Sequence, residues 1–181
     1  EKSNSKSDNK LKKNLVLTGM MGVGKSTVGR RLAKKLSFDF IDIDKVIEEK
    51  EKSSISEIFK TKGEIYFRKI ESQITKRELK NKNSIIALGG GAFMDRSIRR
   101  EIRNFSISFW LDTKLDILIN RLSNSKNRPL LSSKNLAGSV KKIYFERKKT
   151  YIKADFRVKC NSLKSEQITE KILDIYNGYK N

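Results

Sequence analysis

Gly19-Met-Met-Gly-Val-Gly-Lys-Ser26 is the stretch that decides the fold. It matches the pattern G-x-x-x-x-G-K-S/T, and its setting matches too. The apolar run Leu15-Val-Leu-Thr18 precedes it, and a helical pattern of Val28, Leu32 and Leu36 follows. Strand, glycine-rich loop and helix, in that order, form a phosphate cradle. The glycines let the backbone curl until successive N–H groups point inward at phosphate oxygens, and the helix adds its positive end. Gly22, Val23, Gly24, Lys25, Ser26 and Thr27 are therefore candidates for holding ATP. Lys25 would also serve catalysis by placing a charge on the β- and γ-phosphates, and the Ser26 hydroxyl is a candidate ligand for Mg²⁺.

The loop requires a nucleoside triphosphate but does not choose among kinase, GTPase and ATPase. A GTPase would usually carry Asn-Lys-x-Asp, and Asn81-Lys-Asn-Ser84 lacks the aspartate. A large mechanical ATPase would need more than 181 residues. Small-molecule kinases fit the size.

Outward from the loop, four more short apolar runs read as strands: Phe38–Asp42, Ser84–Leu88, Ser106–Leu111 and Phe156–Lys159. Helical patterns alternate with them. Leu115, Leu118, Ile119 and Leu122 share one helix face, as do Ile168, Ile172, Ile175, Tyr176 and Tyr179. Ser54 with Glu57 is a capping-box signature for a further helix. The expected fold is α/β, three layers, with a five-stranded parallel sheet covered by helices on both faces. One domain is expected over residues 14–181, after a disordered basic tail at 1–13. The only proline, Pro129, sits in the polar stretch Ser123–Ser133, so residues 123–135 are the candidate for a mobile lid.

Composition excludes several chemistries. The chain has no histidine, so His-ligated zinc and Ser-His-Asp hydrolysis are ruled out, and the general base is a carboxylate, a lysine, or absent altogether. The single Cys160 forms no intrachain disulfide and reads as a small packed residue. The net charge is +20, but the lysines are scattered and do not alternate with aromatics in a stripe. No specific nucleic-acid partner is expected; an anionic substrate and nucleotide would feel the same field. No run approaches the roughly 18 apolar residues of a membrane span, and residues 1–13 do not resemble a signal peptide, so a cytoplasmic monomer is expected.

Three further features suit a second substrate. Asp42-Ile-Asp44 stands at the end of the second strand, where ligands of parallel sheets gather. Alternate strand residues face the same way, so both carboxylates could enter one cleft; Asp44 could equally cap a helix beginning at Lys45. In Gly63-Glu-Ile-Tyr-Phe-Arg-Lys-Ile-Glu71, Arg68 and Glu71 share a helix face, which a solvated ion pair would also explain. Gly89-Gly-Gly91 follows a strand and could bare its N–H groups to a ligand, or simply turn.

Taken in order, Gly19–Thr27, Asp42-x-Asp44, Gly63-Glu…Phe67-Arg68…Glu71, Gly89–Gly91, Arg128-Pro-Leu-Leu131 and Glu146-Arg147…Tyr151 make the chain resemble the shikimate kinases, P-loop kinases of small molecules. The resemblance implies transfer of the ATP γ-phosphate to the 3-hydroxyl of shikimate, in chorismate and aromatic amino-acid biosynthesis. By position it implies that Asp44 binds substrate hydroxyls and is the candidate base. Arg68 and Arg147 would clamp the carboxylate, oriented by Glu71, while Gly89, Gly90 and Gly91 bound substrate through the backbone. Asp42 would join Ser26 in serving Mg²⁺, through water. Arg128 would swing over the phosphates from the lid, Arg121 would lie beside the adenine, and Ile55, Phe59 and Phe67 would line the substrate pocket. The chain departs from the family in lacking a proline in Lys148-Lys-Thr150 and another near Asn161 and Ser162, which bears on the adenine contacts. A kinase of another hydroxylated acid, such as gluconate, and a basic nucleic-acid-binding protein that uses ATP are the competing readings.

Overall fold

The computed structural model describes residues 13–124 and 134–180. The expected tail up to residue 12, most of the expected lid, and Arg128 with it, lie outside the described residues.

Five strands form one parallel sheet: β1 (Asn14–Thr18), β2 (Asp39–Asp42), β3 (Ser84–Ala87), β4 (Ser106–Asp112) and β5 (Phe156–Lys159), in the order β2-β3-β1-β4-β5. The central strand β1 pairs Leu15 with Ile85 on one side and with Ile107 on the other. Successive residues of a strand face opposite sides, and Leu15, Val16 and Leu17 are all fully buried. Both faces of the sheet are thus covered, as an all-parallel sheet requires.

The covering helices are α1 (Lys25–Leu36), α2 (Ile43–Glu51), α3 (Ile55–Glu78), α4 (Arg96–Phe105), α5 (Leu115–Ser123), α6 (Leu136–Tyr151) and α7 (Ser165–Lys180). α1 packs against α7, and α3 against α2 and α4. Val28 and Leu32 of α1, Leu118 and Leu122 of α5, and Ile168, Ile172 and Tyr176 of α7 are buried as their spacing implies. Tyr179 is half-exposed; its ring only meets Phe156 edge-on. At Gly29 of α1 a Cβ would lie 2.4 Å from the Phe40 ring, so the missing side chain is what lets α1 seat on β2.

One polar residue does structural work that apolar patterning could not reveal. Asn14 begins β1, one residue before the apolar run, and is buried. Its amide donates to Leu79 O (3.1 Å) and accepts from Ser84 N (3.0 Å), tying the starts of β1 and β3 together. The backbone carbonyl of Asn81 accepts from the same Asn14 amide, at this amino-terminal edge of the sheet. Cys160 is buried with its thiol on Val158 O, and burial pushes its pKa up to about 11, as befits a packed residue and not a nucleophile.

Candidate active site

A cleft of about 560 Å³ opens at the carboxyl ends of β1, β2 and β3. The glycine loop forms one wall. Gly24 caps α1 with φ +100° and offers no side-chain acceptor, so the first N–H groups of α1 are left to a ligand. Lys25 Nζ donates to Gly19 O (2.8 Å) and Met20 O (3.0 Å), which fixes both the ammonium and the curl of the loop. Ser26 Oγ donates to Asp42 Oδ2 across 2.7 Å. Two hard oxygens side by side suit Mg²⁺, which keeps most of its shell for water and phosphate and takes few protein ligands.

The pair of aspartates reaches the cleft by a different route from the one expected. β2 ends at Asp42, and Asp42 itself caps α2, its Oδ1 accepting from Asp44 N (3.1 Å) and Lys45 N (3.4 Å). Asp44 therefore lies in the first helical turn and neither caps that helix nor continues the strand. Strand alternation is not what aligns the two carboxylates; the tight strand-to-helix turn is, and both line the cleft.

The opposite wall holds the arginines. Arg68 Nη1 bonds Glu71 Oε1 at 2.9 Å, and Glu71 is only 2% exposed, so the pair is no solvated surface contact. Burial pushes the Glu71 carboxyl above its ordinary range, with Arg68 beside it pulling the other way. Arg147 comes from α6, 79 residues away in sequence from Arg68 by their numbering, and is itself buried. Its Nη1 has no hydrogen-bond partner among the described residues. A buried guanidinium nitrogen in that condition suits an anionic ligand.

Gly89–Gly91 lies between these groups, and space explains the triplet better than flexibility. A Cβ on Gly89 would stand 2.7 Å from Asp44 Oδ1; on Gly90, 3.0 Å from Arg147 Nη1; on Gly91, 2.6 Å from Arg68 Nη1. Gly89 makes room for two charged side chains, Asp44 and Glu71, and Gly90 and Gly91 for one arginine each. Ile55, Phe59 and Phe67 supply an apolar side, with the two rings 4.7 Å apart. Sequence reasoning missed the cleft-lining Lys45, Glu48, Ser54 and Ser56; for Ser54 the capping box was a signal of position, while the others carry none.

A second, smaller hollow of about 270 Å³ adjoins the loop between Gly22, Thr27, Arg121, Leu163 and Ile168. Arg121 Nη1 reaches Gly22 O and Val23 O at 3.3 and 3.4 Å. Asn161, in the loop that departs from the family pattern by lacking a proline, adopts φ +30°, and the turn is held by Cys160 N on Asp112 O.

The shikimate kinase family profile matches residues 21–177. The chain belongs to the shikimate kinase family. The shikimate kinase of Persephonella marina is 40% identical over 161 residues, covering 89% of this chain and 97% of that protein. Among solved structures, the shikimate kinase of Acinetobacter baumannii in complex with shikimate superposes with TM-score 0.90 at 32% identity, covering 93% and 94% of the two chains. A gluconokinase from Sinorhizobium meliloti covers 93% of this chain and 94% of its own at TM-score 0.59 and 14% identity, a likeness of fold alone. The family uses ATP as its phosphate donor. No described helix is long and apolar enough to cross a membrane.

Proposed function

We propose that this chain transfers the γ-phosphoryl group of ATP to the 3-hydroxyl of shikimate, yielding shikimate 3-phosphate and ADP. One observation carries the assignment: Arg68 and Arg147, from separate helices, meet at a glycine triplet that also abuts Asp44. Two planar guanidinium groups match a carboxylate, and a carboxylate beside backbone N–H groups matches vicinal hydroxyls.

In this reading Arg68 and Arg147 hold the acid, with Glu71 fixing Arg68, while Asp44 accepts a hydrogen bond from the attacking hydroxyl. As the new oxygen–phosphorus bond forms, the bond from the γ-phosphorus to its bridging oxygen breaks and ADP departs with that electron pair. The hydroxyl proton passes to Asp44. Lys25 stabilises charge on the transferred group, and Gly22–Thr27 position the triphosphate. Ser26 and Asp42 would hold Mg²⁺, which would supply charge neutralisation when bound. Arg128 is assigned to the phosphates, and Arg121 to the adenine, where the hollow beside Gly22 supports it. Residues 14–181 are read as one kinase domain, working as a cytoplasmic monomer without a nucleic-acid partner.

A coupled ADP-release assay tests the assignment. ADP release that depends on shikimate is the expected result. Release with gluconate instead, or with neither acid, overturns it.

A further inference from the structure

The motif Glu146-Arg147…Tyr151 contains a tyrosine for which the cleft gives no direct use. Tyr151 is fully buried at the end of α6, its ring stacked on Trp110 (centroids 5.9 Å apart) and Phe93 (6.4 Å). Its hydroxyl donates to Gly90 O. That carbonyl belongs to the peptide joining Gly90 to Gly91, and the chain has no cis peptide bonds among the described residues. In a trans peptide the N–H points opposite to the C=O. With the carbonyl drawn down to a tyrosine in the core, the Gly91 N–H is turned up toward the cleft that Gly90 and Gly91 line.

We infer that Tyr151 is a positioning residue for the acid substrate: its hydroxyl locks the Gly90–Gly91 peptide with the Gly91 N–H facing the cleft, one helical turn from Arg147. A peptide between two glycines is the least restricted in the chain, with no Cβ on either side to oppose a flip. A side chain at either position would displace the guanidinium of Arg147 or Arg68 from its place. Orientation must therefore come from outside the loop, and the Tyr151 hydroxyl supplies it. Burial pushes the phenol pKa up to about 12, so the hydroxyl keeps its proton and stays a donor throughout the working range. Because Tyr151 and Arg147 are four apart on one helix, the same ring that fixes the loop also fixes the distance from loop to guanidinium.

The inference rests on the proposed carboxylate clamp, and the experiment separates the two. Tyr151→Phe keeps the ring and its stacking on Trp110 and removes the hydroxyl, with its bond to Gly90 O and its contact with the Arg147 side chain; the Gly91 amide resonance separates loss of the loop lock from any change at Arg147. The expected result is a rise of about tenfold in the KM and calorimetric Kd for shikimate, with the KM for ATP unchanged. Tyr144→Phe is the control: the Tyr144 hydroxyl, on the same helix, bonds Asp112 at 3.4 Å and should leave shikimate binding alone. A purely structural tyrosine would lower thermal stability and active fraction without moving either constant. In the wild-type enzyme, the Gly91 amide resonance should shift on adding shikimate. Unchanged shikimate constants in Tyr151→Phe, an equal shift in the ATP constant, or a stationary Gly91 amide overturns the inference. Failure of the wild type to phosphorylate shikimate would instead remove the functional assignment beneath it.

Discussion

Gly91 and Arg68 compete for one volume: a Cβ on Gly91 would lie 2.6 Å from Nη1 and 2.7 Å from Nη2 of the arginine. The atoms in conflict are the far end of a flexible side chain, and Gly91 has φ −99°, which any residue adopts. Gly91→Ala should therefore fold normally and move the guanidinium. Steady-state kinetics should show KM for shikimate raised at least about tenfold with KM for ATP unchanged. Arg68→Ala, which deletes the guanidinium outright, should raise it further and also leave ATP binding nearly intact. An unchanged KM for the acid in either variant argues against the clamp.

Glu71 gives the stability of this chain a pH dependence of known sign. Its folded pKa is raised above the ordinary 4.5 by burial, with Arg68 opposing. Between 4.5 and the raised value the folded chain binds more protons than the unfolded one, so this residue's contribution falls as pH rises through that window. Above it the full penalty of a buried carboxylate is present. Glu71→Gln removes the titration. Thermal melts should show the wild type losing stability relative to the variant as pH rises from 4.5 toward neutrality. The variant's KM for shikimate should rise as well, because Arg68 loses its charged anchor.

Lys25 holds two loop carbonyls, Gly19 O and Met20 O, while pointing into the cleft. Lys25→Met should lower kcat roughly 1000-fold through lost charge stabilisation of the transferred group. Circular dichroism should remain that of the wild type, since the sheet and helices do not depend on these two bonds. A kcat within about tenfold of wild type would remove Lys25 from the catalytic set.

Much of this was legible because local rules and global architecture coincide. The glycine loop needs its strand and helix, so Gly19–Ser26 implied β1 and α1 together; the other four strands followed from short apolar runs within a residue or two of their ends. What the sequence hid were relations between distant residues. Nothing local in Asp42-Ile-Asp44 says which carboxylate caps α2, because both aspartates are good caps and only the turn geometry decides. Gly89–Gly91 read as bare backbone, whereas the constraint comes from side chains of α2, α3 and α6 that meet only in the folded chain. Tyr151 stands in the motif Glu146-Arg147…Tyr151 with no role that the sequence attaches to it; the bond from its hydroxyl to Gly90 O exists only in the folded chain. The same limit explains the break in α3: the capping box announced the helix start at Ser54 but not its interruption.

That interruption is at Gly63, with φ +83° and ψ 170° inside α3. The Phe59 and Phe67 rings lie 4.7 Å apart though eight residues separate them in the numbering. A straight helix would set such positions about 12 Å apart along its axis. The break folds the helix so that Phe59 from one half and Phe67 with Arg68 from the other face the same cleft. Nothing lies within 4 Å of a Cβ built on Gly63, so the demand is conformational and not steric. This backbone region is essentially glycine's own, and alanine there costs about 1–3 kcal/mol. Gly63→Ala should thus lower Tm by about 2–10 °C in a domain of this size. If the chain relieves the strain by straightening α3, KM for shikimate rises while KM for ATP, served by the separate loop at Gly22–Thr27, stays put. A variant with wild-type Tm and wild-type shikimate KM would mean that the bend at Gly63 positions neither ring nor arginine.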